Sequence, residues 1–134
     1  MLPVRLATLR LFLHVLAATV WVGGQLTLAG LVPGLRRLSP DAPRWAARRF
    51  NVVAWPAFGV LVVTGMWNVA ATRPGHDVRW DVTLGLKLVT VALSGVGAAL
   101  HTRSRTPLRL ALFGAVGLFG ALTALFLGVE LAGS

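Results

Sequence analysis

Val82-Thr-Leu-Gly-Leu-Lys87-Leu-Val-Thr-Val-Ala-Leu-Ser-Gly-Val-Gly-Ala-Ala-Leu100 decides the fold class. Every residue but one is apolar, glycine or hydroxyl-bearing, and the run is close to the ~20 residues that a helix needs to span hydrocarbon. The exception, Lys87, is the only lysine in the chain. A cation at bilayer depth costs roughly 2.5–3.5 kcal/mol even on lenient insertion scales, so such residues face an interior and mark function. His14 has the same status in the first apolar run and Glu130 in the last.

Working outward, three further runs have the required length: 8–32, 50–71 and 108–131, with the central one written as 82–101. The composition agrees. Of 134 residues, 56% are hydrophobic and 13% charged, and the mean hydropathy is +0.76. A soluble domain carries about a quarter charged residues. The expected class is therefore an all-α integral membrane protein, a single domain spanning 1–134. The stretch Arg5 to Gly30 has the outline of a signal peptide, but its apolar part exceeds the ~7–15 residues of such a segment. It reads as a first membrane helix. With no cysteine, disulfides and thiol chemistry are excluded.

Short connections make successive helices antiparallel neighbours, which predicts a four-helix up-down bundle. The first connection holds Pro33, Gly34, Pro40 and Pro43 and leads into Arg44-Trp45-Ala46-Ala47-Arg48-Arg49. Arginine mixed with tryptophan before a span predicts a short interfacial helix over 41–49, with Asp41 as N-cap. The net charge of +9 lies at the ends of the apolar runs, which points to anionic headgroups and not to nucleic acid. The Arg-rich loops 33–49 and 102–109 are expected to be cytoplasmic, with both termini outside and the protein multi-pass. Gly117, Ala121, Ala124 and Gly128 form a small-residue stripe on the last helix, suited to close packing and to a homodimer.

At ~100° per residue the polar groups fall on arcs. His14, Ala18, Trp21 and Gln25 share one. Lys87, Thr90, Ser94 and His101 share another. The second run offers Thr64 and Asn68 with Met66 beside them, and Thr123 aligns with Glu130. Polar residues confined to arcs face inward, because lipid supplies no partners. The expected topology gathers His14, Met66, Asn68, His76, Lys87 and Glu130 in the outer half, with Gln25, Asn51 and His101 at the other end.

Each residue has a plainer reading. His14 can be a histidine bonded to a neighbouring helix or a metal or haem ligand. Lys87 can pair with Glu130, snorkel to the interface, or meet an anionic ligand. Glu130 reads as a partner or surface residue, His101 as an interfacial histidine, His76 as a loop residue and Met66 as core. Nothing resembles a nucleophile–base arrangement, so hydrolytic catalysis is not expected.

His14-Val-Leu-Ala-Ala-Thr-Val-Trp21-Val-Gly23-Gly24 resembles the first-helix signature of the copper resistance D (CopD) domain. Arg48-Arg49-Phe50 with Val63-Thr64-Gly65-Met66-Trp67-Asn68 is similar to that family's second span, and Leu84-Gly85-Leu86-Lys87-Leu88 to its third. The resemblance covers nearly the whole chain. It implies a bacterial inner-membrane protein that binds or passes copper near the outer face, with His14, Met66, His76 and Glu130 as candidate ligands. A looser resemblance is to the HemJ-type protoporphyrinogen oxidases, small four-helix haem proteins with a first-helix histidine and a third-helix lysine. On that alternative haem b is the cofactor, held by His14 and Lys87. On either reading Trp21, Gln25, Asn68, Thr90, Ser94 and His101 support the site. A structural or assembly subunit is a third reading.

Overall fold

The computed structural model describes residues 5–72, 75 and 77–133. Among them the fold is all-α, with four helices long and apolar enough to cross a membrane: α1 (Leu6–Leu38), α2 (Ala42–Thr72), α3 (Val78–Arg103) and α4 (Pro107–Gly133). The protein is thus an all-α, four-helix, multi-pass membrane protein. Contacts divide the chain into two compact units, 1–74 and 75–134. Each is an antiparallel helical hairpin.

The helices outrun the apolar segments. α1 continues through Pro33 to Leu38, and residues 42–49 are helical but continuous with α2. The expected short helix is therefore the opening of a 31-residue helix, since no proline or glycine between Pro43 and Phe50 interrupts the backbone ladder. The α1–α2 turn is built on Ser39. Its Oγ accepts from Asp41 N at 3.2 Å, its carbonyl accepts from Ala42 N, and the Asp41 carbonyl accepts from Trp45 N to open α2. Pro56 sits inside α2 without ending it. Lacking an N–H, it leaves the Val52 carbonyl without its usual donor.

α1 holds one π-helical turn, Thr19–Gly23, between Leu6–Ala18 and Gly24–Leu38. A π turn widens the ladder, and Gln25 Nε2 donates to the Trp21 carbonyl inside it at 3.0 Å. Gly24 gives the Phe50 ring its place, because a Cβ at 24 would occupy the ring's position. Trp21 is buried, with its ring centroid 5.4 Å from Trp55 and 4.4 Å from Phe58. The aromatic trio pins the π turn to α2.

In the second hairpin, Asp77 caps α3 by accepting from Trp80 N at 3.0 Å, and Asp81 adds negative charge to the first turn, where the helix dipole favours it. Before it, Gly75 has φ +96°, a conformation open to glycine. Pro107 opens α4, where a missing N–H costs nothing.

α3 and α4 meet on small residues. A Cβ on Gly97 would lie 2.6 Å from Gly117 N, and one on Gly120 would lie 2.9 Å from Ser94 N. Backbones this close leave no room for a side chain, and in lipid such packing is what joins helices. The stripe expected to mediate self-association thus has a use within the chain: Gly117 faces α3 backbone and Gly128 faces Lys87. The other side of α3 shows Leu86, Val89, Leu93 and Val96, all about half exposed. An apolar row of this kind is what hydrocarbon requires.

Candidate ligand-binding site

Each hairpin holds one of the two residues that the sequence singles out. In the first, His14 is half-buried on α1 and its Nδ1 lies 2.9 Å from Thr64 Oγ1 on α2. Thr64 is buried, and its hydroxyl also lies 2.6 Å from the Val60 carbonyl and 3.3 Å from that of Leu61. A carbonyl only accepts, so the single hydroxyl proton goes to Val60. Thr64 therefore accepts from His14, which puts a ring proton on Nδ1. Ligating histidines are held in this way, one nitrogen donating to a protein acceptor and the other directed at the metal.

Gly65 completes the seat. A Cβ there would stand 3.3 Å from His14 Cε1, so the missing side chain leaves room for the Cε1–Nδ1 edge of the ring against α2. One turn before His14, Arg10 places its guanidinium 6.0 Å from the centroid of Trp67, itself three residues after Thr64. Its Nε is buried and has no hydrogen-bond partner among the described residues. A cation thus stands on the face of α1 that carries the imidazole, toward the end of the hairpin away from the α1–α2 turn.

Met66, expected near His14, is 60% exposed. Two residues past Thr64 it lies about 200° round α2, so it is not brought to the imidazole. Asn68 is half-buried one turn beyond Thr64, and its carbonyl accepts from Thr72 Oγ1. Gln25 serves the π turn and Trp21 the aromatic trio. His76 lies outside the described residues.

In the second hairpin, Lys87 is half-buried and crosses α4 at Gly128, where a Cβ would be 3.0 Å from its Nζ. Glu130 is exposed. Of the readings offered for Lys87, the ion pair with Glu130 is not formed, and the ammonium lies against Gly128. Of the rest of the α3 arc, Thr90 bonds its own helix while Ser94 and His101 join the hairpin. Thr90 Oγ1 donates to the Lys87 carbonyl, fully buried Ser94 donates to the Gly117 carbonyl at 2.8 Å, and His101 Nδ1 donates to the Leu110 carbonyl at 2.7 Å. The His101 ring lies on Gly114, whose Cβ would be 3.0 Å from Nδ1.

Sequence reasoning passed over Arg10, Thr64, Gly65 and Trp67 as site residues. The four-residue spacing of Arg10 and His14 puts both on one helix face and was a usable signal. The glycine seats had none, since a glycine facing a ring is known only once its partner helix is placed. Among the described residues no three His, Cys, Asp or Glu side chains come together as a metal-holding group. No family model, curated protein or solved structure matches the chain.

Proposed function

We propose that this is a haem-binding membrane redox protein in which His14 would ligate the haem iron. The observation that carries the reading is the Nδ1–H of His14 held by a buried threonine whose own proton is committed to Val60. Haem needs few protein donors and commonly takes a single histidine. A bare copper ion needs several nitrogen or sulfur ligands, which the described residues do not assemble. An axial histidine needs a fixed tautomer and a fixed ring plane. Thr64 supports the first and Gly65 the second.

Haem, when bound, supplies one-electron chemistry. The chain's own part is to ligate, orient and balance charge. Arg10, steadied on Trp67, offers a guanidinium one turn from the imidazole, suited to a carboxylate substituent of the ligand. The apolar flanks of the helices exclude water. The arginines of both hairpin turns support turns on the cytoplasmic side of a bacterial inner membrane, with the His14 end of the first hairpin outward.

Copper binding is the second reading, favoured by the His14-to-Gly24 and Thr64-to-Asn68 motifs of the CopD type. A visible spectrum and metal analysis of the purified protein separate the two. A Soret band lost in His14→Ala supports haem. A colourless protein holding stoichiometric copper that is lost in His14→Ala supports the copper reading and overturns the first.

A further inference from the structure

The turn end of the second hairpin carries a groove of about 430 Å3, lined by Arg103, Arg105, Thr106 and Arg109, with Leu100 and Phe113 as its apolar wall. Three arginines line it without an acid. No Asp or Glu occurs between Asp81 and Glu130. Those two lie in the first turn of α3 and the last of α4, on the order of 30 Å away at 1.5 Å per residue. The α4 N-terminus opens on the same groove, with Arg109 N 3.4 Å from Thr106 Oγ1 and Leu110 N donating to the Thr106 carbonyl. Its dipole adds to the attraction for an anion.

We propose that this groove binds the phosphodiester head of one anionic phospholipid, whose acyl chains follow Leu100 and Phe113. The shape argues for a lipid over free phosphate. One wall is apolar, Leu108 and Leu112 beside it are strongly exposed, and the groove sits where membrane-spanning helices end and headgroups begin. Basic pockets between helices at that level recognise anionic headgroups.

Native mass spectrometry of the detergent-solubilised protein, offered phosphatidylglycerol and phosphatidylcholine in equal amounts, tests this. Retention of one phosphatidylglycerol, preferred on the order of tenfold, is the expected result. Replacing Arg103, Arg105 and Arg109 together by Gln should abolish the preference. Replacing Arg44, Arg48 and Arg49 in the first hairpin should leave it. Independently of the folding of the triple variant, salt is titrated on the unaltered protein, where the preference should fall as screening increases. Equal retention of both lipids, a preference indifferent to salt, or one that survives the triple replacement overturns the proposal. Displacement of the lipid by millimolar inorganic phosphate overturns the choice of lipid as the occupant.

Discussion

Thr64 Oγ1 lies between His14 Nδ1 at 2.9 Å and the Val60 carbonyl at 2.6 Å, so one threonine accepts from the imidazole while donating to its own helix backbone. The arrangement ties the chemistry of α1 to the backbone of α2. It also explains why a polar residue occupies a position with 4% exposure inside an apolar hairpin.

Thr64→Val removes that acceptor at nearly constant volume. It leaves a half-buried Nδ1–H without its acceptor, which costs up to about 1–3 kcal/mol. The variant should unfold at lower temperature in detergent and bind haem roughly 10–100-fold more weakly. Thr64→Ser keeps the hydroxyl and should restore both. Thermal unfolding with a haem titration checks the pair.

Gly65→Ala tests ring placement separately from the hydrogen bond. Its new Cβ would stand 3.3 Å from His14 Cε1, so the ring must give by a few tenths of an ångström. Helix content by circular dichroism should be unchanged, while the ligand's absorption band shifts or weakens. An unaltered band would show that the glycine does not set the ring plane.

Lys87→Met should leave the protein as stable as before, or raise its stability by about 1–3 kcal/mol, because a half-buried ammonium resting on Gly128 is costly in the bilayer. A large loss of thermal stability in the variant would mean that the ammonium has a favourable partner.

Gly120→Leu should separate α3 from α4. A Cβ at 120 already approaches Ser94 N at 2.9 Å and the Thr90 carbonyl at 3.0 Å. Overpacking of this kind costs about 1–3 kcal/mol or more, readable as easier unfolding in SDS titrations. The same substitution at Gly133, where no atom lies within 4 Å, should be silent.

The membrane class and the four helices were legible because hydrocarbon thickness demands long apolar runs, and Lys87 and His14 stand out against them. The polar arc of α3 was legible for the same reason: Ser94 and His101 do reach across to α4. Other features depend on partners that a single helix does not reveal. The π turn at Thr19–Gly23 breaks the uniform 100° step on which the His14–Trp21–Gln25 arc was drawn, so Gln25 bonds its own backbone. Met66 stands next to Gly65 in sequence, yet the helix turns it away. The joining of 42–49 to α2 was hidden because arginine and tryptophan mark an interface whether or not the helix continues.

The most direct test of the central claim is the visible absorption spectrum of protein purified from haem-supplemented cells, taken beside that of His14→Ala. The account predicts a Soret band in the first, absent from the second although the variant remains folded. No Soret band in the unaltered protein, or one that persists without the histidine, would contradict it.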